Sequence, residues 1–235
     1  MFQKFNLNLF VFIFTIIGNS QSSKTNNLTL SAELKDNANA VIRHKSLESE
    51  IKDYNKMVVT EHYAKIKKES IVTELEREKG DIVIENLDIK NKTNLSKPIL
   101  LSYDFKLDNA VEEIGGKLYF SPLLFFGNNT NAFIQDTLVY PIDLIYPRNT
   151  KYRININLPE GYEIETTPEN SKFVLNTKEG EFSYVITPNG KMIQLVVNLD
   201  LNNTLILPKG YPEFKKFMQL SSDKKAEKIV LKKIQ

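Results

Sequence analysis

The chain has 235 residues, 31 Lys plus Arg against 29 Asp plus Glu, and no cysteine. A formal net charge of +2 supplies no concentrated basic field to replace phosphate counterions, so the composition argues against a nucleic-acid binder. The missing thiols exclude disulfide staples, a cysteine nucleophile and thiolate metal ligation, and leave the fold to be held by burial alone.

The N-terminus reads as an address. Lys4 supplies a positive charge, Leu7 to Ile17 is apolar apart from Asn8 and Thr15, and Gly18-Asn19-Ser20 places small residues ahead of Gln21. This is the pattern of a signal peptide over residues 1–20, with cleavage between Ser20 and Gln21; the rival reading is an uncleaved interfacial anchor. The run is far shorter than the ~20 residues of a bilayer-spanning helix, and no later stretch approaches ~18 uninterrupted apolar residues, so no integral membrane span is expected after cleavage. A cysteine-free exported chain long enough to bury a core fits the periplasm or cell envelope of a Gram-negative bacterium better than a disulfide-rich secreted module.

Residues 21–38 open with the polar, aperiodic string QSSKTNNLTL and read as a flexible leader. Residues 39–80 read as a β-hairpin plus a short helix. Val41 to Lys52 and Lys56 to Ile66 are strand-like runs flanking the turn-forming Asp53-Tyr54-Asn55, and Lys67 to Lys79 holds strong helix formers ending before Gly80. Residues 81–235 are expected to form a separate domain, because beyond Asp81 the apolar period is two. Alternation runs through Ile99 to Leu107, Tyr152 to Leu158, Phe182 to Ile186 and Ile193 to Leu201. Turn chemistry separates these strands at Gly115-Gly116, Pro159-Glu160-Gly161, Pro188-Asn189-Gly190 and Pro208-Lys209-Gly210. Pro212 then opens a helix with Phe214, Phe217 and Met218 on one face, and Ile229 to Ile234 closes as a strand. The expected fold is mainly β: an antiparallel β-sandwich with a short helix before it and a helix plus final strand at the C-terminus.

Three stretches carry a family resemblance: GDIVIENLDIKNKTNLSKPILLSYDFKLDNAVEEIGGKLYFSPLLFF, YPIDLIYPRNTKYRININLPEGYEIETTPEN, and GYPEFKKFMQL with the closing KIVLKKI. From Gly80 to Ile234 the chain resembles the C-terminal β domain of exported transglutaminase-like proteins of the Bacteroidetes lineage. Leu30 to Ala64 resembles the start of their N-terminal β domain of unknown function. The resemblance implies a papain-like core with a cysteine, histidine and aspartate triad between the two β domains. Here the chain passes from Ala64 to the helix at Lys67 within a few residues, so no position matches that core and no catalytic residue carries over.

What remains offers little chemistry. The two histidines, His44 and His62, would face each other across the expected hairpin, but a stable metal site needs more ligands, and they read as surface residues. Asp104, Asp108, Glu112 and Glu113 read as a solvated face rather than the split-pKa pair of a glycosidase. The basic ending Lys224, Lys225, Lys228, Lys232 and Lys233 is interrupted by Asp223 and Glu227 and reads as a solvated face as well. No nucleotide, zinc-protease or serine-hydrolase motif occurs. No enzyme, no metal and no cofactor is therefore expected.

The most apolar stretch of the mature chain is Lys117 to Phe126, KLYFSPLLFF, which reads either as a strand, a bend and a buried strand or as a partly exposed aromatic edge. On the second reading Tyr119, Phe120, Leu123, Leu124, Phe125 and Phe126 form a surface for a partner, either another envelope protein or a separate transglutaminase-like core. The functional reading is an exported, non-catalytic binding or scaffolding module. One rival is a carbohydrate-binding module using Tyr146, Tyr152, Tyr162 and Tyr211; the other is an internal-deletion product without its own function.

Overall fold

The computed structural model describes residues 24–34, 40–51, 67–79, 82–91, 93, 99–107, 110–127, 131–144, 147–176 and 179–234. In chain order these form β1 (Lys24–Leu34), β2 (Ala40–Ile51), α1 (Lys68–Lys79), β3 (Ile82–Lys90), β4 (Ile99–Leu107), β5 (Glu112–Ile114) and β6 (Lys117–Phe120). A 3-10 turn at Leu124–Phe126 precedes β7 (Ile142–Asp143), β8 (Arg148–Asn157), β9 (Tyr162–Thr166), β10 (Ser171–Asn176), β11 (Gly180–Asn189), β12 (Met192–Leu201) and β13 (Leu205–Ile206). The chain closes with α2 (Tyr211–Ala226) and β14 (Ile229–Lys233). The expected mainly-β class, with its leading helix and its terminal helix and strand, is the class observed.

The strands assemble into an eight-stranded sheet in the order β10-β11-β12-β8-β1-β2-β4-β3, a four-stranded sheet β5-β6-β14-β9, and the pair β13-β7. Alternation in sequence becomes one buried face. Ile154 and Ile156 on β8, Ile193, Leu195 and Val197 on β12, and Phe182, Tyr184 and Ile186 on β11 are all buried. The register lines them up in rows, Tyr184 beside Val197 beside Tyr152 and Ile186 beside Leu195 beside Ile154. Leu118 and Phe120 of β6, Ile229 and Leu231 of β14, and Phe214 and Phe217 of α2 belong to the same core.

The turn residues act where their chemistry predicts. Gly115 and Gly116 have φ of 60° and 75° and form the two-residue loop between Ile114 and Lys117, a conformation that only glycine adopts freely at both positions. β11 and β12 pair up to Asn189 and Met192, with Gly190 at φ 59° between them.

Residues 24–34 depart from the expected flexible leader. They form β1, which pairs antiparallel with β2 and parallel with β8, and this parallel pair is inserted in an otherwise antiparallel sheet. The polar start Lys24 to Asn27 carries no period of its own, whereas Leu28, Leu30, Ala32 and Leu34 alternate with Thr29, Ser31 and Glu33 as a half-buried strand would. β2 therefore pairs with β1 and β4, and the expected second hairpin arm, 56–66, lies outside the described residues. The eight-stranded sheet crosses the boundary expected at residue 80.

β3 also breaks the simple period. Ile82 and Ile84 are buried, and then Leu87, because Asn86 at φ 54° forms a bulge that shifts the strand by one residue. Asn86 Nδ2 donates to Asp104 Oδ2 at 2.8 Å across the bulge. Asparagine tolerates this left-handed backbone better than most residues. β3 lies at the sheet edge, and α1 guards it: Ile71 and Leu75 pack into the core, and Glu76 Oε1 accepts from the Ile84 N–H at 2.8 Å.

One core group is chemically awkward. Tyr184 is fully buried, and its hydroxyl finds no hydrogen-bond partner among the described residues. Lys224 Nζ lies 5.4 Å from its ring centroid and pairs with Glu227 at 2.7 Å. Burial, and secondarily Glu227, pushes the Tyr184 pKa well above the ordinary tyrosine range. The phenol stays neutral in the fold but ionises when unfolded, so stability falls as pH rises past about 10. Tyr184→Phe is expected to leave stability at neutral pH unchanged or raise it by up to about 1 kcal/mol, since it removes an unsatisfied buried polar group. It should also flatten the alkaline loss of stability. Ile154→Ala is expected to cost about 2–5 kcal/mol, and a denaturant titration of each variant beside the parent chain at neutral and alkaline pH checks both expectations.

Candidate functional site

The run Lys117 to Phe126 is neither a flat edge nor a second buried strand. β6 ends at Phe120, Pro122 stops the ladder, and the 3-10 turn follows with Leu124 at φ 51°. Phe120 and Leu123 are 1% and 0% exposed and belong to the core. Leu124, Phe125 and Phe126 are half-buried and pack against it. Phe125 meets Phe105 at 5.0 Å between ring centroids and Phe126 at 4.2 Å, and Phe126 lies 6.2 Å from Tyr152. Tyr119 is half-buried on β6, between Glu112 and Val230 in register. The turn folds the aromatics down onto the sheet, so the six residues do not share one outward surface.

The other candidates disperse. His44 lies opposite Leu30 on β1, and His62 is outside the described residues, as are Ser20, Gln21, Asp108 and Tyr146. Asp104 accepts from Asn86, both Glu112 oxygens accept from Lys228 Nζ at 2.8 Å, and Glu113, next to Glu112 on β5, is exposed. Among the described residues no group of three or more His, Cys, Asp or Glu comes together. Tyr162 and Tyr211 are buried and Tyr152 is half-buried, so these tyrosines do not form the exposed stacking row of the carbohydrate reading. The basic ending is spent on local contacts. Lys224 meets Glu227, Lys228 meets Glu112, Lys232 meets Glu163, and Lys233 lies over the Tyr162 ring. Burial lowers the pKa of Lys225.

Sequence reasoning missed the segment between Asn131 and Leu144. It carries Ile134, Val139 and Tyr140 at 72%, 81% and 79% exposure, well above the other exposed apolar residues of the described chain. This degree of exposure does not come from a lack of anchoring. Asn131 Nδ2 donates to the Lys215 carbonyl of α2 while its Oδ1 accepts from the Phe133 N–H. Phe133 packs edge-on against Phe214 at 4.7 Å. Lys215 Nζ donates to the carbonyls of Ile134 and Gln135 and to Asp136 Oδ1, each at 3.0–3.1 Å. At the far end β7 pairs with β13, and the Leu144 N–H donates to the Thr204 carbonyl at 2.7 Å. Leu205 on β13 and Leu207 just after it are 46% and 53% exposed. The available sequence signal was Val139-Tyr140-Pro141 within an aperiodic stretch, which reads as an ordinary loop.

Lys215→Ala is expected to release this loop without unfolding the domain. Amide exchange at Ile134 to Asp136 should rise while the β8 and β12 amides stay protected, with a stability loss of about 1 kcal/mol. Equal deprotection of both regions would show that the lysine holds the global fold instead.

Residues 116–231 match the model of a family described as a domain of unknown function with a solved structure, DUF3858. The matched span runs from the β5–β6 turn into β14 and includes the 131–144 loop and α2. A comparison with curated proteins gives no match. Among solved structures, the crystal structure of a "putative protease" from Parabacteroides distasonis is similar at 14% identity and a TM-score of 0.40, over 50% of this chain and 23% of that chain. The chain thus spans less than a quarter of the length of that solved protein. From β6 to β14, then, this chain is similar to a recognised domain family of unknown function.

Proposed function

We propose that the chain is an exported, non-catalytic β module that binds or scaffolds in the Gram-negative envelope, and that it is a relative of the exported transglutaminase-like proteins without their core. The observation that carries the non-catalytic part is the composition: a chain with no cysteine cannot supply the thiolate of a cysteine, histidine and aspartate triad. Export is supported by the N-terminal pattern of Lys4, the apolar run and the small residues before Gln21. The match of residues 116–231 to a domain family supports the reading of a module. Binding is supported by the anchored loop that leaves Ile134, Val139 and Tyr140 exposed, since apolar side chains presented to solvent can mark interaction sites. The expected partners remain another envelope protein or a separate transglutaminase-like core.

Cell fractionation of a C-terminally tagged chain tests the address. The expected result is a periplasmic or envelope-bound product whose N-terminus is Gln21; a cytoplasmic product still beginning at Met1 would refute export. Incubation of the purified chain with a glutamine donor peptide and an amine tests the chemistry. No transamidation, deamidation or peptide cleavage is expected, and turnover would overturn the non-catalytic reading.

A further inference from the structure

The hairpin that joins β11 to β12 turns on a two-residue loop, Gly190-Lys191, between the paired Asn189 and Met192. Gly190 has φ 59° and Lys191 does not share that sign, the pattern of a type II′ turn with glycine at its first central position. Asn189, Gly190 and Lys191 are all exposed. Asn189 is also the one asparagine of the sequence that is followed by glycine. Its side-chain amide has no hydrogen-bond partner among the described residues, and neither has the Gly190 N–H. By contrast, Asn170 Oδ1 accepts from the Ile186 N–H at 2.7 Å, Asn203 Oδ1 accepts from the Leu205 N–H at 3.1 Å, and Asn131 is bonded through both ends of its amide. The turn is held at Lys191, whose carbonyl accepts from the Leu158 N–H at 2.9 Å. Pro188 has no N–H, so beyond Thr187 only Asn189 can donate from β11 to β12. The backbone at Asn189 can therefore swing while the pairs further in stay closed over the buried Ile186 and Ile193.

We propose that Asn189-Gly190 is a self-modifying site, at which the folded chain converts its asparagine to aspartyl and isoaspartyl residues through a cyclic succinimide. The reaction needs water and no other reactant. The Gly190 nitrogen gives its proton to solvent and attacks Cγ of Asn189; the Cγ–Nδ2 bond breaks, and the amide nitrogen takes a proton from water and leaves as ammonia. In the ring that results, the Gly190 nitrogen is bonded both to Cγ and to the main-chain carbonyl carbon of Asn189. Water then cleaves one of these two bonds and returns the proton to the nitrogen. Cleavage at Cγ gives aspartate, and cleavage at the main-chain carbon gives isoaspartate, whose backbone runs through the former side chain. One water is consumed and one ammonia released, with no oxidation or reduction. The structure favours the first step in three ways: glycine has no Cβ to crowd its own nitrogen, that nitrogen has no competing acceptor among the described residues, and closing the ring disturbs only the last pair of the ladder. The products place a carboxylate next to Lys191, and the isoaspartyl form lengthens by one carbon the loop that the Asn189–Met192 pair closes. The inference stands apart from the envelope reading, since it needs neither export nor a partner.

Trypsin releases Glu179 to Lys191 as one peptide in which Asn189 is the only side-chain amide, so the mass of that peptide reports this site alone. The purified full chain is held in neutral buffer at physiological temperature, either folded or unfolded in guanidinium chloride, and the peptide is followed over weeks. A hairpin tip opens at little free energy, so the expected folded rate of amide-to-acid conversion lies within about tenfold of the unfolded rate. Fragmentation should show both aspartyl and isoaspartyl linkages. Gly190→Ala, compared with the parent in the unfolded state so that folding plays no part, should convert several-fold more slowly. A folded rate below the tenfold bound overturns the proposal, because the hairpin would then protect the site. Aspartate without isoaspartate, or equal unfolded rates for Gly190→Ala and the parent, overturns it as well, since either result removes the succinimide route.

Discussion

The ladder between β8 and β12 is the constraint on which the rest depends. Ten consecutive residue pairs join Arg148–Asn157 to Met192–Leu201 without a register shift. Ile154, Ile156, Ile193, Leu195 and Val197, at 0–1% exposure, turn that ladder into an apolar floor. Each such side chain is worth roughly 1.5–3 kcal/mol on burial, so the floor outweighs the local preference of any neighbouring segment. A one-residue slip would move the whole set to solvent, which is why this register is firm.

The neighbouring elements take their places from that floor. β11 adds on one side and brings Phe182, Tyr184 and Ile186 into the same rows. β1 adds on the other side in parallel, and β2, β4 and β3 follow. β6 and β14 and the apolar side of α2 close over the face, and the turn at Leu124–Phe126 drops its aromatics onto Phe105 and Tyr152. The cost of this arrangement appears at Tyr184, whose hydroxyl is carried into the core beside the Lys224–Glu227 pair.

The same ladder explains how apolar side chains come to be displayed. Its two strands run on past the sheet end into β7 and β13, where no third strand covers them among the described residues. The adjoining loop is then pinned to α2 through Asn131, Phe133 and Lys215. Exposure and anchoring therefore come from different contacts. The backbone is held by carbonyl acceptors and one aromatic pair, while Ile134, Val139 and Tyr140 are left outward. A loop held in this way loses little conformational freedom when it meets a partner surface.

The sequence by itself determined the elements whose residues carry their own instructions. The alternating runs of β4, β8, β11 and β12, the glycine turns at 115–116 and 190, and the helix that opens beside Pro212 were legible, because period and turn chemistry are local properties. The absence of a cysteine triad was legible for the same reason. Only the tertiary structure decided the rest. The polar start of β1, Lys24 to Asn27, joins the strand because β8 and β2 offer it partners, Asn86 reverses the parity of β3 through a bulge, and KLYFSPLLFF splits into core and roof because the sheet face lies beneath it. The exposed apolar surface was hidden for a like reason. Val139 and Tyr140 carry no mark of inside or outside in a string of letters; that is settled by which neighbours the distant β7–β13 pairing leaves them.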